Sequence, residues 1–281
     1  MNTYHKCCGV IFTKDRPLQL YSLLETWYTF VAGASDVYVL LKASNERYRK
    51  QYRKVKFKFR DAIFVEERSF HQDLVRILCN PLYSHVLFSV DDNLFVHNIS
   101  LDHVMMALDN NPEAIGFSLR LGHNIKYCHT LNKKQALKTY RDGGVNKDTM
   151  MWSWIDEEFD FGYPLEVSSS VYRTSLIKTL CQNLHYNNPN SFEHAMELHK
   201  PKLAGKFPYL LSFTSSRAVC LPMNITQTEG MTRHSSNQEY TIEKLLQKFE
   251  SGQKMNWHDV LDNITITSPH TEYEFGYSQR R

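Results

Sequence analysis

Long apolar runs are missing from the 281-residue chain; none approaches the roughly 20 residues that cross a bilayer. The opening MNTYHKCCGVIFTKDR also lacks the apolar stretch of a secretion signal. Both absences predict an intracellular, cytoplasmic protein, in which the Asn-x-Ser/Thr matches at Asn98, Asn224 and Asn263 carry no glycan. Cysteine is sparse. Cys7, Cys8, Cys79, Cys128, Cys181 and Cys220 form no C-x-x-C pair, so free, mostly buried thiols are expected. His123, Cys128 and His129 lie together but lack a second ligand pair at zinc spacing, and packing is the simpler reading. No G-x-G-x-x-G follows the first apolar run and no G-x-x-x-x-G-K-[ST] occurs, which argues against dinucleotide binding and against a nucleotide triphosphatase. Neither sign of charge is in excess, since 33 Lys and Arg against 30 Asp and Glu leave +3.

One stretch does concentrate positive charge, RYRKQYRKVKFKFR from Arg47 to Arg60. Basic and aromatic residues interleaved in this way raise nucleic acid as a partner. The alternation in VKFKFRDAIFV instead suggests an edge strand with a solvated cationic face, and we expect no nucleic-acid partner. Peripheral attraction to an anionic membrane, or to a polyanionic acceptor, is a third use of such charge.

What is present is an alternation of strand and helix signals. Lys6–Phe12, Val37–Leu41, Ala62–Val65 and Val86–Val90 are short apolar runs suited to strands buried on both faces. Between them lie a helical pattern after Arg16-Pro17 (Leu18, Tyr21, Leu24, Trp27, Tyr28) and a second over Phe70–Leu78. This order predicts an α/β sheet with right-handed crossovers. Further on, His103–Leu108 reads as a helix, Ala114–Leu121 as a strand and Asn132–Met151 as a polar loop. A strand over Val167–Tyr172, a helix over Ser175–Leu184, a cap cluster at Asn187–Ser191 before FEHAMELH, a short strand Val219–Leu221 and an amphipathic helix Thr241–Glu250 complete the pattern. With no internal repeat and no clear linker, residues 1–281 are expected to form a single domain.

In open α/β sheets ligands bind beyond the carboxyl ends of the strands. Here those ends carry Thr13-Lys14-Asp15-Arg16, Lys42-Ala43-Ser44-Asn45 and Asp91-Asp92-Asn93. Hydroxyls, a guanidinium and two carboxylates gathered in one cleft suit a nucleotide diphosphate held through a divalent ion.

With VIFTKDRPLQLYSLLETW, VLFSVDDNLF and FEHAMEL in hand, the chain resembles the nucleotide-diphospho-sugar glycosyltransferases of GT-A fold, in particular bacterial and viral cytoplasmic ones. FSLRLG, W-x-W, YP followed by YR, and NPNSFE extend the resemblance from Val10 to about Gln227. It implies a Rossmann-like, mostly parallel central sheet flanked by helices. It also implies a donor half (1–110), an acceptor and catalytic half (111–235) with an acceptor-side region, and a C-terminal helical extension (236–281). Thr13, Arg16, Ser44, Asp91 and Arg120 are then expected at the donor. Asp91, Asp92 and Asn93 stand where such enzymes keep a D-x-D that binds Mn2+ or Mg2+, with His234 as the best further metal ligand over His258 and His270. Asn93 replaces the usual final acid, so either Asp92 takes the ion or the ion is held loosely.

The resemblance also places a catalytic base at a helix start roughly a hundred residues later, which selects Glu193, with Asp156 and Asp160 as alternatives. Trp152 and Trp154 are expected to form an acceptor platform, because aromatic faces stack on sugar rings. Arg173 is expected to hold a turn. The activity implied is inverting, metal-assisted sugar transfer to a glycan or glycolipid in surface-glycan synthesis. Two other readings stay open: a sugar nucleotidyltransferase, although TKDRPLQL has no Gly, and a non-catalytic module that binds carbohydrate or a partner protein.

Overall fold

A computed structural model of the chain describes residues 6–144, 147–226 and 233–280. Gln227, where the sequence resemblance ends, lies outside the described residues, as do the first five residues of the opening stretch.

Four strands open the chain: β1 (Cys7–Lys14), β2 (Ala34–Lys42), β3 (Ala62–Glu66) and β4 (His85–Val90). They are joined by α1 (Pro17–Phe30), α2 (Glu46–Lys58) and α3 (Phe70–Leu78). After α4 (Leu101–Asn110) come β5 (Ala114–Ser118), β6 (Thr149–Ser153), β7 (Ser170–Arg173), α5 (Thr174–Asn183), α6 (Pro189–His199) and β8 (Tyr209–Phe213), then α7 (Ile242–Glu250) and α8 (Trp257–Asn263). One nine-stranded sheet runs in the order β3-β2-β1-β4-β7-β5-β8-β6, with the two-residue strand Arg141–Asp142 beyond β6. β1 pairs in parallel with β2 and β4, β2 with β3, and β8 with β5. β7 enters antiparallel between β4 and β5, and β6 pairs antiparallel with β8. The sheet is therefore mixed and mostly parallel, with helices packed against it, as the strand–helix alternation predicts.

Burial explains why these segments become strands. Val10, Ile11, Val86, Leu87 and Phe88 have no exposed surface, which fits interior strands covered on both faces. At Gly9 the reason is steric: a Cβ there would stand 2.5 Å from the Trp27 ring of α1, so glycine lets helix and sheet close.

The basic stretch corrects the edge-strand expectation. Arg47–Lys58 belongs to α2, which begins where the Asn45 side chain accepts hydrogen bonds from the Arg47 and Tyr48 amides. Gln51, Tyr52, Val55 and Phe59 turn inward at helical spacing while the cations face water, and only the later Ala62–Glu66 is the edge strand. The polar loop expected over Asn132–Met151 needs a similar correction, because Thr149, Met150 and Met151 are buried in β6. Arg173 holds the turn expected of it, donating to the carbonyls of Leu108, Asn111 and Ala114.

α7 and α8 lie against α1. Tyr21 meets Phe249 edge-on with ring centroids 5.9 Å apart. Glu25 accepts from Trp257 Nε1 (3.0 Å) and from Lys254. Arg47 of α2 forks onto Glu243 and Glu250 of α7. Among the described residues no helix is long and apolar enough to cross a membrane.

Candidate functional site

The carboxyl ends of β1, β2 and β4 open into a cleft of about 980 Å³. Its walls bring together Thr13, Arg16, Asp91, Asp92, Arg120, Asp160, Glu193, His234 and His270, drawn from seven separate stretches of the chain. Comparable volumes hold ligands of nucleotide size.

At the β1 end, the tight turn is carried by Asp15, whose φ of 57° is a left-handed conformation that Asp tolerates better than most residues. Its carboxylate accepts from the Ser44 amide (2.8 Å) and the Ser44 hydroxyl. Ser44 thus braces the β1–α1 turn and does not line the cleft, contrary to its expected place at the donor. Thr13 Oγ1 donates to Asp91 Oδ2 (2.8 Å) and meets the buried Tyr52 hydroxyl at 2.8 Å. Arg16 lies between the two acids at the end of β4: its Nη1 is 2.9 Å from both Asp91 Oδ1 and Asp92 Oδ2, and Nη2 donates to the Asn224 carbonyl. Asp92 also accepts from the Cys220 thiol at 3.3 Å. Burial and the neighbouring Asp92 push the Asp91 pKa up, while Arg16 pulls against that rise.

Asn93 does not belong with this group. It is 1% exposed, donates through its amide to Ser89 Oγ (3.1 Å), and sits in a short strand, Asn93–Phe95, paired with Ala218–Cys220. Its carboxamide oxygen is sealed away from the cleft wall, so the expected metal role is corrected. Among the described residues no cluster of three or more His, Cys, Asp and Glu side chains could hold a metal ion. His234 does line the cleft, as does His270, whose ring burial and nearby Arg120 push down to about 3. His258 stacks on Trp257 in α8 and does not line the cleft. His129 Nε2 meets Glu272 at 2.9 Å and His123 packs edge-on against Tyr140, so neither histidine near Cys128 is arranged as a zinc ligand.

The opposite wall is built by α6 and the segment before β7. Asn188 caps α6 in a reciprocal box with Ser191, and Pro189 occupies the first turn. Ser191 thereby takes the capping role available to an acid, and Glu193 falls at the fifth helical position, beyond the first turn. Its Oε1 accepts from the Tyr163 hydroxyl (3.1 Å) and Oε2 from the Val167 amide (2.8 Å). Burial, chiefly, and the nearby Glu166 raise the Glu193 pKa from 4.5 to about 7. Asp160 also lines the cleft but accepts a 2.6 Å bond from Gln135 Nε2. Asp156 is exposed and does not line the cleft, although the adjacent Glu157 does.

The tryptophans are likewise corrected. Trp152 (2% exposed) and Trp154 (4%) are core side chains whose indole N–H groups donate to the carbonyls of Phe161 (3.0 Å) and Phe207 (2.7 Å). Neither lines the cleft, and neither offers a free ring face to an acceptor.

Residues missed in the sequence complete the site. Glu166 is buried and accepts from Ser168, Ser169 and Ser170, so EVSSS is a self-wrapped carboxylate. Arg120, 4% exposed, places its Nε 3.6 Å from Glu166 Oε1, beyond hydrogen-bond reach. Glu166 and Tyr52 went unmarked in the sequence, whereas Arg120 was expected at the donor, Tyr163 belongs to the YP landmark and Cys220 was marked only as a buried thiol. The tyrosine of YP was a legible signal; the partners of Glu166 and Cys220 were not.

No family model matches the chain. In an alignment of 208 positions that covers 66% of this chain, it is 29% identical to the bifunctional glycosyltransferase pgtA of Dictyostelium discoideum, of which the match spans 27%. Among solved structures, it is similar to TarS 1–349 of S. aureus in complex with UDP, with 12% identity, 78% of this chain and 61% of that one covered, and a TM-score of 0.49. It is also similar to the mannosyltransferase PcManGT of Pyrobaculum calidifontis in complex with GDP-Man and Mn2+, with 12% identity, coverage of 80% and 58%, and a TM-score of 0.46.

Proposed function

We propose that residues 1–281 are one glycosyltransferase unit that binds a nucleotide-diphosphate sugar in the cleft and passes the sugar, with inversion, to a hydroxyl of a glycan or glycolipid. The observation that carries this reading is Glu193, a carboxylate on the cleft wall facing the nucleotide-type strand ends, with its pKa raised to about 7. A base of that strength is half deprotonated at neutral pH, where it can accept a proton from a hydroxyl. Similarity to part of pgtA supports the same chemistry.

In this mechanism the acceptor oxygen forms a bond to the anomeric carbon as the bond to the diphosphate breaks. The hydroxyl proton passes to Glu193, and the nucleoside diphosphate leaves with the bonding pair. Tyr163 and Val167 fix the Glu193 carboxylate, so it meets the acceptor without rotamer searching. Thr13 and Asp91 line the cleft at the ends of β1 and β4, which supports a nucleoside seat there. All six cysteines are free thiols, which supports a cytoplasmic setting. The cationic face of α2 is the surface that would draw the protein to an anionic bilayer.

Incubation with uridine, guanosine and thymidine diphosphate sugars and hydroxyl acceptors, reading nucleoside diphosphate release, tests the proposal. Glu193→Gln should lower turnover by about 10²–10⁴-fold, and Asp156→Asn should leave it unchanged. Wild-type turnover in Glu193→Gln would remove the base, and no release from any donor would remove the transferase reading.

A further inference from the structure

We infer that the cleft takes its diphosphate without a divalent cation: Arg16 occupies the cation's seat between Asp91 and Asp92, and Arg120 supplies the positive charge that meets the phosphates. This deepens the donor reading above and rests on it.

Every oxygen of the acid pair already accepts a bond from within the protein, so a metal would have to share those oxygens with Arg16, Thr13 and Cys220. Asp91 receives Arg16 on one oxygen and Thr13 on the other; Asp92 receives Arg16 on one and Cys220 on the other. A hard cation needs about six oxygen ligands, and Mg2+ tolerates little departure from octahedral geometry. The third residue of the motif offers nothing, since the Asn93 carboxamide is turned into the core. One guanidinium bridging two carboxylates is itself a cation in a preformed anionic seat.

Arg120 carries the opposite imbalance. It is a buried guanidinium on the cleft wall whose Nε has no hydrogen-bond partner. The nearest acid is Glu166, at 3.6 Å, and both Glu166 oxygens are already taken up by the serines that follow it. A buried charged donor left without a bond is costly, and the anion that best fits a planar fork of N–H groups is a phosphate or carboxylate. Arg16 Nε is also buried and without a partner on the same cleft. The site is thus short of acceptors, which a diphosphate supplies, and has no shortage of cations.

Isothermal titration of the intact protein with UDP, GDP, dTDP and inorganic pyrophosphate, in excess EDTA and again in millimolar MnCl2 or MgCl2, tests this. At least one nucleotide should bind with the same Kd in both buffers, within about twofold. Arg120→Lys keeps the charge and loses the fork, and should weaken that binding about 10–100-fold while circular dichroism shows the fold retained. Binding that appears only with metal would overturn the inference and leave the donor site standing. Metal-independent binding unchanged in a folded Arg120→Lys would overturn the role of Arg120. No nucleotide binding in either buffer would sink the donor reading itself.

Discussion

Replacing Glu193 with glutamine separates two consequences of burying a carboxylate. Because its pKa is 4.5 in the exposed state and about 7 in the folded one, the native protein binds this proton more tightly than the unfolded chain does. Between those values stability falls as pH rises, since the unfolded state releases the proton first. The contribution is fully present below pH 4.5 and is lost as pH climbs through 7. At about 1.36 kcal/mol per pH unit, ionisation of Glu193 costs about 2–3 kcal/mol of stability between pH 5 and 8. Glutamine does not ionise. It does leave one of the two donors, Tyr163 or Val167, facing an amide N–H, at about 1–2 kcal/mol that does not vary with pH. The informative quantity is therefore the difference in unfolding free energy between wild type and Glu193→Gln, followed by urea denaturation from pH 5 to 9. That difference should move by about 2–3 kcal/mol in favour of the variant as pH rises, although the variant's turnover stays below that of the wild type throughout. A purely structural Glu would lose stability and activity together. A pH-independent difference, flat to about 0.5 kcal/mol, would show that Glu193 ionises as an exposed acid and would refute the reasoning for a base.

Arg16→Met leaves Asp91 and Asp92 as adjacent buried acids without their counter-charge, and equilibrium denaturation should show a loss of about 3–5 kcal/mol. A loss under about 1 kcal/mol would mean that water already screens the pair. Trp152→Phe and Trp154→Phe each delete an indole bond to a carbonyl and should cost about 1–3 kcal/mol with no change in acceptor KM; a raised KM at unchanged stability would restore them as a sugar platform. Gly9→Ala drives a methyl into the Trp27 ring and should destabilise by about 1–3 kcal/mol in thermal unfolding, whereas a neutral result would show that α1 can shift.

The parallel strands were legible because burial on both faces leaves continuous apolar runs, and the predicted limits Phe70–Leu78 match α3. Glu193 was legible because Asn188 and Pro189 announce a helix start. The reading failed where two periods compete. In VKFKF the alternation is strong, yet Tyr52, Val55 and Phe59 also fall on one helical face, and Asn45 at the cap decides for the helix. Trp152 and Trp154 misled because a sequence does not reveal that each indole N–H has a backbone carbonyl waiting. Asn93, one residue past two acids that do reach the cleft, turns inward because its strand pairs with Ala218–Cys220. Arg120, Glu166 and Cys220 meet only through the antiparallel entry of β7 and the Asn93–Phe95 pairing, which no local pattern encodes.

The packing of α7 and α8 on α1 sets an order of events during synthesis. Tyr21 and Glu25 emerge from the ribosome long before Phe249, Lys254 and Trp257, the residues that cover or pair with them. At about 5–20 residues per second, the outer face of α1 waits on the order of 10–45 s for its cover. Until then Tyr21 has Phe59 but not Phe249 against its ring, and Glu25 lacks both Lys254 and Trp257. Contacts of such long sequence separation make for slow final closure, and they make residues 242–263 part of what completes the first layer of the fold.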